Sequence, residues 1–164
     1  MQKAIFITMT PYQRIFGSGP LLLLLTAIFI VTAVRMQQWV PLPQLELSPL
    51  IRLGLTGLIL IIGGTIIIRS FQSLPLQARG RQLVTSGPYR YVRHPLYTAV
   101  FLSVGLSVFF ITQILWALVA MGLMFLMGHL FVGYEERLME QSFGQSWQDY
   151  ARRTPRFLPR SMNP

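Results

Sequence analysis

No cysteine occurs in this chain, which excludes a disulfide framework, a thiolate metal site and a cysteine nucleophile. Acidic residues are nearly as scarce: five stand against fourteen lysines and arginines in 164 residues. Charged residues of both signs amount to 12% of the chain, where a water-soluble domain carries roughly 25%. No phosphate-binding glycine loop, metal-ligand spacing or nucleophile motif occurs either. What fills the chain instead is apolar. It is 52% hydrophobic, with a mean hydropathy of +0.51, the composition of a membrane protein without a large water-soluble domain.

A helix crossing a bilayer needs about 20 apolar residues, and four stretches approach that length: 15–34, 49–68, 96–111 and 113–134. The first follows a short basic segment, and no small-residue cleavage site comes after it, so it is expected to remain as an anchor. The last two come from one apolar region, 96–134. As a single helix that region would reach nearly 60 Å, roughly twice the hydrocarbon core. A hairpin turning near 110–113 resolves the excess. The expected architecture is all-α, a single integral membrane domain of four transmembrane helices. A loop over 69–95 and a C-terminal segment over 135–164 complete it.

Net charge is +9, and its distribution identifies the partner. Lys3 and Arg14 precede the first span, five arginines lie between spans two and three, and five follow span four. With four spans, those regions share one side and hold 12 of the 14 basic residues; Arg35 and Arg52 fall opposite. This is the positive-inside pattern, with both termini and the basic loop cytoplasmic, and the small size suggests a prokaryotic inner membrane. The expected partners are membrane lipids, not nucleic acid.

The polar residues gather at two places. The first is GPYRYVRHPLY, 87–97, at the end of the loop. Pro95 suits the first position of span three, where proline has no amide hydrogen to lose. The amides of Leu96, Tyr97 and Thr98 are then expected to stay unpaired beside Arg93 and His94, an arrangement that suits an anion. Arginine, histidine and tyrosine also anchor helices at membrane surfaces, and that reading stands beside the first. The second place is Glu135-Glu136, directly after span four. The hairpin returns the two acids to the level of Arg93 and His94, so a ligand with both a carboxylate and an ammonium would suit the pair. Simple pairing with the loop arginines is the alternative.

Beyond the acids, Met139, Phe143, Trp147 and Tyr150 recur on one helical face, as in an amphipathic helix lying in the headgroup region. Gly144 is a point at which that helix divides, and Pro155 and Pro159 stop it. His129, inside span four, is a functional candidate because ionisable groups within a membrane are costly. A neutral histidine bonded to a neighbouring helix is the other reading.

The run 87–97, the apolar hairpin, Glu135-Glu136 and the Phe143-Gly144-x-x-Trp147-x-x-Tyr150 tail together resemble the isoprenylcysteine carboxyl methyltransferase and phospholipid methyltransferase superfamily. The likeness covers about 79–160; spans one and two carry no signature, and Ala99 stands where the family usually has glycine. The resemblance implies a membrane enzyme that uses S-adenosylmethionine to methylate a hydrophobic acceptor, with an isoprenylcysteine carboxylate favoured. It implies that Arg93, His94 and Tyr97 hold the cofactor's carboxylate end and that Glu135 and Glu136 take its ammonium or ribose hydroxyls. Arg90 or Arg137 would hold a carboxylate acceptor, and no metal is expected. Two rivals differ in class. Membrane sterol reductases carry a similar element and would use NADPH, for which the paired glutamates are poorly suited. A small four-helix multidrug transporter needs an acid inside the bilayer, and no span contains one before Glu135.

Overall fold

The computed structural model describes residues 17–159. Lys3, Arg14, Arg160 and the first two positions of span one lie outside the described residues. Among the described residues, five α-helices run in order: α1 Gly19–Trp39, α2 Pro49–Ser73, α3 Pro95–Thr112, α4 Trp116–Phe143 and α5 Gln145–Arg153. The first four are long and apolar enough to cross a bilayer, which makes the chain an integral membrane protein. Among the described residues there is no strand; one isolated bridge joins Gln44 and Ile114.

Each helix start has a local cause. Pro20, Pro49 and Pro95 occupy the first turns of α1, α2 and α3, where an unbonded amide is no loss. Ser48 also caps α2, its hydroxyl accepting from the Ile51 amide. The hairpin between α3 and α4 turns at Gln113, in the left-handed region with φ of 60°, and the Gln113 amide closes on the Phe109 carbonyl. The Arg52 guanidinium covers the carbonyls of Phe110 and Ile111 in the last turn of α3, groups that have no partner within the helix.

α3 is the centre of the bundle. α2 packs along one side of it and α4 along the other, while α1 packs on α4. Gly63 on α2 sits directly against Ser103 on α3, so even a methyl group there would collide with the serine hydroxyl. Close approach over small residues is the usual basis of helix association in lipid. Leucines and isoleucines on the outer faces stay exposed, among them Leu50, Leu53 and Ile61 of α2 and Leu126 and Leu130 of α4. That surface suits acyl chains.

Three expectations about span ends change. α1 runs to Trp39 and α2 to Ser73, each five residues past the expected ends at 34 and 68. The fourth helix does not end at Tyr134. It continues unbroken through Glu135 and Glu136 to Phe143, so the two acids lie inside a helix and do not face the macrodipole at its end. The division expected at Gly144 does occur: its φ of 54° ends α4, and α5 starts at Gln145.

Candidate functional site

The loop 74–94 closes over the end of the bundle where α2 finishes and α3 begins. Two short 3₁₀ turns, Leu76–Ala78 and Gly87–Arg90, shape it. The C-terminal segment fixes its far end. The Arg93 amide donates to the Pro155 carbonyl at 2.8 Å, and the His94 amide to the Arg156 carbonyl at 3.0 Å. The Tyr150 hydroxyl donates to the Tyr89 carbonyl at 2.7 Å, and Arg93 Nη1 to the Ala151 carbonyl at 3.1 Å. One amide expected to be open is not: Thr98 N–H donates to the His94 carbonyl at 3.1 Å, closing the first turn of α3.

Glu136 is the electrostatic centre of this end of the molecule. One carboxylate oxygen meets Arg93 Nη2 at 3.0 Å and His94 Nε2 at 3.2 Å. The other accepts from Arg156 Nη2 at 2.7 Å and Nε at 2.9 Å. Glu136 is only 8% exposed, so a charge there needs these partners. Burial lowers the affinity of Arg93 for its proton, and the adjacent Glu136 carboxylate opposes that shift. The Arg93 guanidinium also lies over the Trp147 ring, 5.8 Å from its centroid.

Glu135 turns another way. A single carboxylate oxygen accepts from the Ser18 amide at 2.5 Å, the Ser18 hydroxyl at 2.6 Å and the Tyr97 hydroxyl at 2.9 Å. Gly17, at φ of +53°, lets the chain pass over the carboxylate; a Cβ there would strike it. The neighbouring acids thus divide the work. Glu136 ties the loop, α3, α4 and the C-terminal segment together, as in the arginine-pairing alternative, and Glu135 faces the cavity.

That cavity encloses about 380 Å³, within the usual range for small-molecule sites. Its polar end carries Arg79, Tyr89, Arg93, His94, Tyr97 and Glu135. Leu23, Ile67, Phe71 and Val100 make an apolar wall opening toward the faces of α1 and α2. Met139, Trp147 and Tyr150, three of the four residues expected on one helical face, line the cavity across the Gly144 break. Burial pushes the Tyr89 phenol up to about 12, with Arg79 pulling the other way, so its hydroxyl stays protonated near neutrality. Burial likewise raises Tyr150.

Of the residues expected at the site, Arg93, His94, Tyr97 and Glu135 line this cavity, and Glu136 sits directly behind it. Arg90 and Arg137 do not line it. Both are exposed, Arg90 because its 3₁₀ turn buries Tyr89 on the inner side, and Arg137 because Glu136 takes the inward position on α4. The arginine that the sequence analysis passed over is Arg79, which lines the cavity and stacks on Phe71 with its guanidinium carbon 5.1 Å from the ring centroid. Ser18 was also missed. Nothing local marks it, since its partner is 117 positions away. His129 is exposed and, among the described residues, hydrogen-bonds neither a neighbouring helix nor Glu136; its Nδ1 lies 2.8 Å from the Phe125 carbonyl of its own helix. Among the described residues, no three histidine or acidic side chains gather as metal ligands.

Comparison with known proteins supports the resemblance read over about 79–160. Residues 52–146 match the family described as phospholipid methyltransferase. The match reaches back through α2, where the sequence analysis found no signature, and stops just short of Trp147. The nickel-cobalt-cadmium resistance protein NccN of Alcaligenes xylosoxydans xylosoxydans is 40% identical over 83 residues, 50% of this chain and 38% of its own length. The cobalt-zinc-cadmium resistance protein CzcN of Cupriavidus metallidurans is 38% identical over 117 residues, 69% of this chain and 51% of its own length. The chain thus spans about half, or less, of the curated relatives it matches.

Proposed function

The chain belongs to the phospholipid methyltransferase family, and we propose that it transfers a methyl group from S-adenosylmethionine to a lipidic or other hydrophobic acceptor. One observation carries this reading: a single cavity has a charged end built from both signs and an apolar wall built by the membrane-length helices α1, α2 and α3.

The side chains present fit the cofactor. Arg93 Nε is buried and has no acceptor among the described residues, so it remains to bind a carboxylate. Among the described residues, Glu135 accepts its hydrogen bonds on one oxygen, and the other would take an ammonium or a ribose hydroxyl. Tyr97 and His94, stacked with centroids 5.8 Å apart, form the wall between them. When bound, S-adenosylmethionine supplies a methyl group already activated on a sulfonium. The residues of this chain then have to orient the acceptor and exclude water, and positioning can supply several kcal/mol. Trp147, Tyr150 and Met139 cover the polar end, and Tyr89 offers a protonated hydroxyl.

A carboxylate acceptor of the isoprenylcysteine kind asks least of these groups, because it needs no base, whereas an amine or thiol must lose a proton. Arg79, beside Phe71 and the apolar wall, takes the acceptor-holding role first assigned to Arg90 or Arg137. A cavity carboxylate at Glu135 is a poor neighbour for polyanionic NADPH, which disfavours the reductase alternative. The basic loop side is assigned to the cytoplasm by its excess of arginine. The relatives' names refer to metal resistance. The test is incubation of the purified protein with lipid extract and isotopically labelled S-adenosylmethionine, followed by mass spectrometry. A labelled apolar product is expected; label confined to the cofactor over a range of lipid extracts would overturn the reading.

A further inference from the structure

A second cavity, about 470 Å³, lies on the far side of Arg93 from the first. One wall is α4, through Phe125 and His129; the other is the segment 151–159, with Arg152, Arg153 and Arg156. The segment is held in place, not loosely draped. Beyond the backbone bonds at Pro155 and Arg156, the Phe157 carbonyl accepts from the Thr98 hydroxyl at 2.9 Å. The Phe157 side chain is 2% exposed, and its ring meets that of His129 edge to face at 4.7 Å between centroids.

Charge and surroundings define what fits. Among the described residues, four guanidiniums line this cavity and two carboxylates answer them: Glu136 holds Arg93 and Arg156, and Asp149 holds Arg152. Positive charge is therefore in excess. His129 Nδ1–H donates to the Phe125 carbonyl, which can only accept, so Nε2 is the ring nitrogen left to meet a headgroup hydroxyl. On the same helix, Leu123, Leu126 and Leu130 are exposed, Leu130 by 64%. Cationic groups therefore sit at the head of an apolar helix surface whose length is enough to carry an acyl chain.

We propose that this cavity holds one anionic phospholipid, its phosphodiester beside Arg152 and Arg153, a headgroup hydroxyl at His129 and its chains along α4. The site is separate from the cavity assigned to methyl transfer and does not depend on that assignment. It gives a function to His129, which no step of the proposed reaction uses. It also explains an arginine cluster on a segment already fixed by backbone bonds.

The test is native mass spectrometry of the full chain released from bilayers of phosphatidylcholine mixed with phosphatidylglycerol. Wild type is expected to retain phosphatidylglycerol and to lose phosphatidylcholine. Each surface arginine is worth about 1 kcal/mol toward an anionic lipid, so Arg153→Gln should lower retention by about fivefold, and adding His129→Leu should lower it further. Arg81→Gln, which removes an exposed arginine on the same side but outside this cavity, should retain the lipid like wild type. Equal retention of the two lipids, unchanged retention in the double variant, or an equal loss in Arg81→Gln would overturn the proposal. Displacement of phosphatidylglycerol by millimolar inorganic phosphate would also overturn it, by showing a site for a free anion. His129→Leu and Arg153→Gln alter exposed side chains; should the double variant aggregate, Arg153→Gln alone decides the question.

Discussion

Ser18 gives both its backbone amide and its hydroxyl to one oxygen of Glu135, at 2.5 and 2.6 Å, across 117 positions of sequence. The turn that precedes α1 thereby sets the direction of a carboxylate near the end of α4. Ser18→Ala removes the hydroxyl and keeps the amide. Loss of one charge-assisted hydrogen bond, about 1.5 kcal/mol, should lower S-adenosylmethionine affinity by roughly tenfold without changing the fold. Calorimetric titration in detergent checks this; an unchanged affinity would show that Tyr97 and the Ser18 amide suffice to hold Glu135.

The two glutamates should separate cleanly under mutation. Glu135→Gln leaves the Glu136 network intact and should weaken cofactor binding by about 1–3 kcal/mol at nearly constant stability. Glu136→Gln leaves Arg93, His94 and Arg156 without their common anion and should cost about 3 kcal/mol or more of stability. Thermal unfolding followed alongside titration distinguishes them. A pair of variants with the same unfolding temperature would contradict the division of roles.

His94 and Pro95 offer a sharper test of the anchoring alternative. His94 donates to Glu136 and lines the cavity, so His94→Ala and His94→Trp should both lower cofactor affinity while membrane insertion is kept. An interfacial anchor would tolerate tryptophan without loss. Pro95→Ala should let α3 begin earlier, engage the amides at its start and weaken binding too. Wild-type affinity in His94→Trp, measured on monodisperse protein, would leave the cluster as an anchor.

Arg93 bonds Glu136 and the Ala151 carbonyl through different guanidinium nitrogens and covers Trp147. Lysine has one nitrogen and no planar face, so Arg93→Lys should be far from conservative. Both unfolding temperature and cofactor affinity are expected to fall; a silent Arg93→Lys would reduce the residue to a surface charge.

Orientation can be read with reporters. Fusions after Pro43 and after Pro164 should lie on opposite sides of the membrane, the second in the cytoplasm, because the basic loops gather on its side. Reporters on the same side would be incompatible with the four-span assignment.

The four membrane helices were legible because apolar runs of this length have few alternatives in water or lipid. The prolines and Gly144 marked boundaries through covalent and backbone constraints that act wherever the chain goes. The meeting of Arg93 and His94 with the acids followed from hairpin arithmetic alone, since an antiparallel return brings 134–136 back to the level of 93–97. Tertiary structure decided the rest. Which glutamate faces the cavity depends on a rotation of 100° per residue about α4, fixed only once α1 and α3 pack against it. Arg79 entered and Arg90 left the site because the loop's two 3₁₀ turns set their directions, and no local periodicity records that. Ser18 joined Glu135 because α1 packs beside α4 and not beside α2, a choice made by side-chain fit between apolar surfaces that composition cannot tell apart.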